Sequence, residues 1–392
     1  MRSETPFTPR EVQYNEEKFQ LLDKHFEKLM EKKKISGAAY CMARDGKKFV
    51  ENALGAMSYE ESDRRPLKPD AIFLIASITK LFTATAVFKL IEDGEFRLDT
   101  PVGEIIGEFK EGPYKEINIA HLLSHTSGMN PDRGAFENPY YQTYWDYILE
   151  GFEQGDENWI KNALKCGMRN DPGEEWAYNS FGYTFLGEIV SRISGMFAED
   201  FIEKEIVIPC GMKDTCFTHN LKQKAADRII IMNEGIKEIV SRLHNDIPLE
   251  NTEVERMCHT CPETGSGLFS TTSDLVQFGT MLMNGGYHGD RRIIGRLTID
   301  RMTGRYTGSH IKDYCWDAGG VERSYGLGPD LRNNLTSLYT KGAYFHEGSG
   351  ASCLLVDPYE KMVAAWVAPF MDDNWHGEAL YNTSAVMWSG IL

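Results

Sequence analysis

Two residues at the start of a long apolar segment have the types and spacing that nucleophilic chemistry requires. Ser77 and Lys80 stand three positions apart in Ala71–Leu90, and the apolar run behind them continues to Ile91. The run is too long for an ordinary strand and contains no Pro or Gly, which predicts a buried helix stopped by Asp93-Gly94. Residues three apart share a helix face, so the amine would lie beside the hydroxyl. Burial should lower the pKa of Lys80, and the neutral amine could then take the Ser77 proton.

A structural interpretation of the same pair is a capping serine beside a lysine that reaches solvent. The Ser-x-x-Lys spacing is expected by chance about once in a chain of this length. A second copy is indeed present, at Ser309 and Lys312, among glycines and polar residues and without a long apolar helix behind it. We interpret that copy as the chance one, because context rather than spacing separates the two.

A tyrosine and a glycine-rich turn are the other candidates for chemistry. Tyr178 follows a Pro-Gly turn at the start of an apolar helix, where a nearby lysine cation would lower the pKa of the phenol and make it a general base or acid. A packing tyrosine is the alternative, and the segment alone favours it. His346-Glu347-Gly348-Ser349-Gly350 lies between two predicted strands, where a substrate could approach the backbone and N–H groups could complete an oxyanion hole. A simple bulge or turn is the alternative there.

Composition narrows the classes of partner. The chain has 392 residues and a net charge of −16, which argues against nucleic acid and anionic membranes. The N-terminal segment lacks the apolar core of a signal peptide, and no apolar run is long enough to span a membrane. The eight cysteines are scattered, so we expect reduced thiols and a cytoplasmic location. Cys258 and Cys261 form a lone Cys-x-x-Cys pair, more typical of a loop than of zinc, and we expect no metal and no cofactor. His125 lies at a predicted helix end, and this setting favours a structural histidine over a member of a Ser-His-Asp triad.

The pattern of predicted elements indicates an α+β fold. We expect an antiparallel β-sheet flanked by N- and C-terminal helices, with an inserted, mostly helical domain. The sheet domain would comprise 1–92 and 216–392, and the helical domain 93–215. The predicted helices include 14–34, 181–193, 273–284, with Ser273 as its N-cap, and 375–392. The predicted strands are 37–44, 48–57, 228–232, 236–240, 325–327, 343–346, 352–357 and 362–368.

Several segments together resemble the serine β-lactamase and penicillin-binding-protein superfamily, in particular the class C-like branch that includes the family VIII esterases. The segments that carry the resemblance are 77–80, 117–129, 172–190, 208–217, 265–286 and 345–358. The resemblance implies that Ser77 is acylated, Lys80 activates it, and Tyr178 moves the proton to the leaving group. It further implies an oxyanion hole made by the N–H groups of Ser77 and Ser349, and an active site in the cleft between the sheet domain and the helical domain.

Two motifs depart from the family pattern. The second motif is often Tyr-x-Asn, but its third residue here is Ser180, so a substrate amide would meet Ser180 unless Asn179 reaches in from its offset position. The third motif, often Lys-Thr-Gly, is His346-Glu347-Gly348. Glu347 would repel anionic substrates if it faced the site, although alternate strand residues face opposite sides. Both departures favour an ester, or a peptide with a free amine, over penicillin.

We therefore expect a serine hydrolase that forms a covalent acyl-enzyme with a small ester, amide or peptide. A D-amino-acid peptidase or a weak β-lactamase is the first alternative for the substrate. An acyl-accepting transferase or receptor that deacylates slowly is the alternative of a different class. The aromatic region 140–159 could wall an acyl pocket, but packing of the helical domain is favoured.

Overall fold

The computed structural model describes residues 2–132, 135, 142–247, 249, 261–332, 337–371 and 375–392. Its β-strands are β1 Gly37–Arg44, β2 Lys47–Gly55, β3 Phe73–Leu74, β4 Glu175–Trp176, β5 Cys216–Phe217, β6 Leu268–Ser270, β7 Tyr287–His288, β8 Arg291–Arg292, β9 Lys312–Asp313, β10 Val321–Glu322, β11 Tyr344–Gly348, β12 Ser352–Asp357 and β13 Met362–Val367. Its α-helices are α1 Glu17–Glu31, α2 Thr79–Glu92, α3 Ile119–Leu123, α4 Tyr144–Glu153, α5 Trp159–Leu164, α6 Ser180–Ser194, α7 Ala198–Ile202, α8 Glu234–His244, α9 Thr272–Met283, α10 Arg296–Thr303 and α11 Asn382–Trp388.

The main sheet has five strands in the order β11-β12-β13-β1-β2, and all four pairings are antiparallel. The predicted hairpin turn between β1 and β2 is confirmed, because Asp45 and Gly46 both have positive φ, as this tight turn requires. Pairing of β1 with β13 joins the two ends of the chain in one sheet. The α+β fold class with an antiparallel sheet is therefore confirmed.

Helices cover both faces of this sheet. Alternate strand residues face opposite sides, so each face contributes its own apolar layer. On one face, α1 and α11 pack through Phe26, Met387 and Trp388. On the other face α9 packs closely, since a Cβ added at Gly279 would lie 2.6 Å from Val363 Cγ1. The predicted terminal helices thus lie beside one sheet, as the sequence indicated.

The helix behind Ser77 is buried on all sides. A short 3₁₀ turn, Ala76–Ile78, leads into α2, and Phe82 of this helix stacks on Phe278 with ring centroids 3.9 Å apart. Such an all-round apolar helix belongs in a core rather than at a surface. Residue 93 ends it and Gly94 has positive φ, as predicted. The apolar run therefore anchors the turn that carries Ser77 to the core.

Three predicted elements differ in the structure. The predicted strand 236–240 is part of α8, because the Asn233 side chain caps that helix and Ile236, Val240 and Leu243 follow helical spacing. The predicted strand 228–232 makes only isolated bridges, from Ile229 to Ile72 and from Ile231 to Ser58. The α9 helix is capped by Thr271, not Ser273, since the Thr271 side chain accepts from the Asp274 N–H.

The predicted strand 325–327 is not part of the main sheet. Tyr325 makes one bridge to Asp330, and Asp330 bridges Phe345 in β11. Between residues 93 and 215 the described elements are mostly helical, yet β4 pairs in parallel with β9 from beyond that stretch. The division into two domains at 93–215 remains a prediction.

The predicted packing role of the aromatic region holds for its described members. Tyr144 stacks on Phe181 with ring centroids 4.7 Å apart, and Trp159 stacks on Phe185 at 5.6 Å. Tyr140, Tyr141 and most of the Cys258–Cys261 motif lie outside the described residues. Among the described helices, none combines the length and the apolar character needed to cross a membrane.

Candidate active site

The amine of Lys80 lies against the hydroxyl of Ser77. Lys80 is fully buried, and its Nζ is 3.0 Å from Ser77 Oγ, 3.0 Å from Ser180 Oγ and 2.9 Å from the carbonyl oxygen of Gly265. Burial lowers the pKa of Lys80 to about 7, although the charge of Asp132 opposes this shift. The predicted pairing and the predicted fall in pKa are both present. A large fraction of the lysine is thus a neutral base at neutral pH.

The turn that carries Ser77 has an unusual backbone. Ala76 has a φ of +46°, in the left-handed region that residues with a Cβ rarely adopt. Ser77 itself remains partly accessible to solvent, whereas Ile75, Ile78 and Thr79 around it are buried. The hydroxyl is therefore presented at the edge of a rigid core. No sequence pattern predicted the left-handed alanine.

Tyr178 completes the group of polar side chains around Ser77. Its ring centroid is 5.0 Å from Lys80 Nζ, and its hydroxyl lies near those of Ser77 and Ser180. The predicted fall in the phenol pKa was wrong. Burial and the nearby Asp132 carboxylate raise the pKa of Tyr178, and its interactions with Ser77 and Ser180 only partly oppose that rise. Tyr178 is thus a protonated phenol in the resting site, suited to donating a proton.

Ser180 and not Asn179 is the second-motif residue that reaches the lysine. The Asn179 side chain faces the other way: its oxygen caps α6 at the Gly182 N–H, and its amide nitrogen donates to Asn130 O and Tyr144 Oη at 2.8 Å each. A substrate-binding role for Asn179 through an offset position was therefore wrong. All three hydrogen bonds of the Asn179 side chain stabilise the turn before α6.

Asp132 is a site residue that sequence reasoning missed. Its two carboxylate oxygens accept from the N–H of Ser180 at 2.7 Å and from the Ser180 hydroxyl at 2.5 Å. The Asp132 N–H in turn donates to Tyr178 O at 2.9 Å. The chain has 58 Asp and Glu residues, and no local sequence pattern distinguishes Asp132 from the others. Only the fold brings the loop after Met129 to the start of α6.

The third-motif residues lie on β11 at the edge of the sheet. His346 is buried with its ring centroid 6.4 Å from that of Tyr178, and burial together with Lys80 lowers the pKa of His346 to about 4. The imidazole is therefore neutral near pH 7. Its Nδ1–H donates to Glu347 O at 2.8 Å, which leaves Nε2 without a proton, 3.3 Å from Tyr325 Oη.

Glu347 is already paired within the protein. Its carboxylate is 2.7 Å from Arg332 and 3.2 Å from His376. Burial alone would raise the pKa of Glu347, but Arg332 and His376 outweigh it and hold that pKa well below its usual range. Glu347 is thus a neutralised anion beside the site rather than an isolated negative charge.

The end of β11 packs on the nucleophile turn. A Cβ added at Gly348 would lie 2.4 Å from Ile75 O, so only glycine fits between the strand and the residues before Ser77. Ser349 follows in an exposed turn. The structure therefore brings the glycine of the third motif against the turn of Ser77, although the oxyanion-hole role of the Ser77 and Ser349 N–H groups remains a prediction.

His125 and Trp316 border the tyrosine. His125 is buried among the rings of Trp176, Tyr178 and Tyr183, and its Nδ1 accepts from the Asn179 N–H at 3.1 Å, which agrees with a structural role. Trp316 has a φ of +49° and is 57% exposed, and its ring lies 5.6 Å from that of Tyr178. Sequence reasoning missed Trp316, because nothing local marks its place beside the site.

The second Ser-x-x-Lys copy has none of these features. Ser309 is exposed, and Lys312 Nζ donates to the main-chain oxygen of Ser309, not to its hydroxyl. Within the part of the chain that the structure describes, no group of three or more His, Cys, Asp or Glu side chains could hold a metal ion. The Ser77 site, by contrast, brings together a serine hydroxyl, a buried amine and a phenol.

Several known proteins resemble this chain in sequence and in fold. Penicillin-binding protein 4* of Bacillus subtilis (strain 168) is 30% identical over 258 residues, which cover 66% of this chain and 54% of that protein. Esterase EstB of Burkholderia gladioli is 30% identical over 217 residues, which cover 50% of each protein. The chain thus spans about half the length of these curated relatives.

A solved structure and a family model extend the likeness to nearly the whole chain. A penicillin-binding protein homologue from Caulobacter crescentus has a TM-score of 0.72 and 19% identity, covering 96% of this chain and 98% of that one, which shows the fold. The beta-lactamase family model matches residues 22–381. The resemblance carried by the Ser77, Tyr178 and His346 motifs is confirmed: this chain belongs to the beta-lactamase family.

Proposed function

We propose that this protein is a serine hydrolase that acts on small esters or amides through a covalent acyl-enzyme at Ser77. The observation that carries the proposal is the 3.0 Å contact between Ser77 Oγ and a fully buried Lys80 amine. A lysine whose pKa is about 7 can accept the serine proton at neutral pH, which is how a serine becomes nucleophilic without a histidine. The esterase relative supports the same reaction class.

The residues divide the reaction between them. Ser77 Oγ bonds to the carbonyl carbon while its proton moves to Lys80 Nζ. The bond to the alcohol or amine then breaks, and the leaving group takes a proton from Tyr178, whose raised pKa keeps it protonated beforehand. The N–H groups of Ser77 and Ser349 would hold the oxyanion. The proton on Lys80 then passes to the Tyr178 phenolate, which restores both groups. Water attacks the acyl carbon while one of its protons moves to Lys80, and that proton returns to Ser77 Oγ as the bond to the serine breaks and the acid leaves.

The charges around the site favour esters and neutral amides over β-lactams. The third-motif position that is often a lysine is a histidine whose pKa is about 4, so it brings no positive charge at neutral pH. Arg332 is engaged by Asp330 and Glu347. Among the described residues at the third motif, neither His346 nor Arg332 is therefore a cation ready to receive a substrate carboxylate. The exposed ring of Trp316 offers apolar surface to an acyl or alcohol group instead.

Replacement of the nucleophile tests the reaction. For Ser77→Ala we expect hydrolysis of p-nitrophenyl butyrate to fall by at least about 10³-fold, since the remaining groups cannot form the acyl-enzyme. Ser309→Ala, in the second Ser-x-x-Lys copy, is the matched control and should keep wild-type turnover. Unchanged turnover in Ser77→Ala would overturn the proposal.

Intact mass at the same time points separates turnover from acyl storage. A mass increase on the wild type without product release after the first equivalent would favour the slowly deacylating acyl acceptor. Ratios of kcat/KM for the ester, a D-alanyl p-nitroanilide and a cephalosporin then rank the substrate classes. We expect the ester to be first.

A further inference from the structure

Ser180 is held by a carboxylate on one side and contacts the catalytic amine on the other. Asp132 Oδ1 accepts from the backbone N–H of Ser180 at 2.7 Å, and Oδ2 accepts from its hydroxyl at 2.5 Å. The same hydroxyl oxygen is 3.0 Å from Lys80 Nζ. Burial raises the pKa of Asp132, and Lys80 and both hydrogen bonds from Ser180 oppose that rise. In its ionised form the carboxylate can only accept, so the Ser180 proton points to Asp132 and a Ser180 lone pair points to Lys80.

A count of protons then fixes the direction of the Lys80 lone pair. A neutral amine has two N–H groups and one lone pair. The carbonyl oxygen of Gly265 can only accept, and it takes one N–H at 2.9 Å. Ser180, oriented by Asp132, takes the other. The third neighbour of Nζ is Ser77 Oγ at 3.0 Å, so the lone pair faces the hydroxyl that it must deprotonate.

We propose that Asp132 is a positioning residue which, by orienting the Ser180 hydroxyl, directs the free lone pair of Lys80 at Ser77. Without the carboxylate, the Ser180 hydroxyl could donate to that lone pair and remove the base from the reaction. The inference rests on the proposed function, because it assigns Lys80 the role of base. In this inference Ser180, the third residue of the second motif, orients Lys80 only because Asp132, which is distant in the sequence, orients Ser180.

The other charged and titratable groups around Lys80 leave Asp132 as the principal electrostatic partner. His125 and His346 face the amine, but burial lowers the pKa of both, so both are neutral near pH 7. Tyr178 and Tyr183 present their rings at 5.0 and 5.6 Å, and burial raises the pKa of both phenols. Asp132 also stabilises the ammonium form, so its removal should lower the pKa of Lys80 as well as release Ser180.

Asp132→Asn is the informative substitution. The backbone N–H of Ser180 can only donate, so the amide oxygen of the new side chain must take it. The amide nitrogen then faces the Ser180 hydroxyl and donates to it, which turns the hydroxyl proton away towards Lys80. A change of one atom thus reverses the hydrogen bond without removing volume. Asp171→Asn, at an exposed carboxylate in the same part of the chain, is the matched control.

The readout is the rate at which a fluorophosphonate modifies Ser77, followed by intact mass between pH 5.5 and 9.5. The serine oxygen bonds to phosphorus, fluoride leaves, and the serine proton passes to Lys80, so no natural substrate is required. For Asp132→Asn we expect the rate on the alkaline plateau to fall about 10–100-fold, as for loss of a charge-assisted hydrogen bond. The acid limb should shift to lower pH, and esterase kcat should fall with little change in KM.

A double variant separates orientation from a general effect of charge. In a Ser180→Ala background there is no hydroxyl to orient, so adding Asp132→Asn should change the plateau rate less than about twofold while the acid limb still shifts. A full loss in that background would overturn the inference, as would a wild-type plateau in Asp132→Asn alone. Failure of the proposed function looks different, because Ser77 would then resist the fluorophosphonate in the wild-type protein itself.

Discussion

At the scale of single residues, the state of Lys80 governs the chemistry. The amine is fully buried, and its ammonium form loses hydration that Asp132 and the hydroxyl oxygens only partly replace. A buried lysine is costly for stability in the charged form, yet the same cost makes it a base near neutral pH. Burial of this one side chain therefore links the apolar character of α2 to the proposed catalysis.

The pH dependence of turnover follows from that state. Lys80 accepts the Ser77 proton only when neutral, so kcat/KM should rise about tenfold per pH unit below a pKa of about 7 and level off above it. His346, whose pKa is about 4, lies below this window and Tyr178 above it, so a single acid limb is expected. Hydrolysis of the ester measured from pH 5 to 9 at the isosbestic wavelength of p-nitrophenol tests this. A flat profile between pH 5.5 and 8.5 would contradict the assignment of Lys80 as base.

At the scale of elements, the contact between β11 and the 3₁₀ turn at Ala76–Ile78 sets the geometry of the site. The strand carries His346 and ends at Gly348, whose backbone lies directly on Ile75. The turn carries Ser77 and leads into α2. The strand and the turn can touch because Gly348 has no side chain. Ser349 is the first residue after the strand, so it follows directly on this contact.

Gly348→Ala should therefore separate the strand from the nucleophile turn. The new Cβ would lie 2.4 Å from Ile75 O and 2.3 Å from Ser352 Oγ, and backbone atoms cannot give way as a flexible side chain can. We expect a loss of about 1–3 kcal/mol in the free energy of unfolding, measured in urea, and a larger fall in kcat than this alone explains. Gly107→Ala, where an added Cβ meets nothing within 4 Å, is the control. Wild-type kcat in Gly348→Ala would show that the contact does not shape the site.

At the scale of the whole molecule, a buried ion network joins the strand behind Tyr178 to the edge of the main sheet. Arg323 bonds to Asp313 of β9 at 3.2 Å and to Asp330 at 2.6 Å. Its guanidinium lies 3.9 Å from the ring of Trp176 in β4, two residues before Tyr178. Asp330 bridges Phe345 in β11. One side chain thus ties both sides of the site together.

Removal of that side chain should destabilise the protein strongly. In Arg323→Ala, Asp313 stays buried without its paired cation, while Asp330 keeps only Arg332, and loss of one partner of a buried pair costs about 3–5 kcal/mol. Arg305→Ala, which breaks an exposed pair with Glu322, should cost less than about 1 kcal/mol. Urea unfolding of both variants measures the difference, and equal midpoints would mean that the buried network contributes no more than the surface pair.

The sequence alone determined those parts of the molecule that depend on local patterns. A long apolar run predicts a buried helix wherever it occurs, so α2 and the position of Ser77 and Lys80 on one face were predictable. The Asp45-Gly46 turn and the strands β11–β13 follow from equally local rules. The beta-lactamase family was recognised from several such segments in order. The strand predicted at 236–240 was wrong because a capping asparagine outweighed the β-branched residues.

Only the tertiary structure decided which side chains meet around Lys80. Asp132 and Ser180 are 48 positions apart, and no period or propensity connects a loop carboxylate to a helix start. The pairing of Glu347 with Arg332 was equally unpredictable from local sequence, and it is this pairing that neutralises the Glu347 charge. The pKa of Tyr178 also went against the local expectation, because the burial and the Asp132 charge that raise it come from distant parts of the chain. Local sequence sets the helix and the strand, but solvation and charge at a site depend on everything that folds against it.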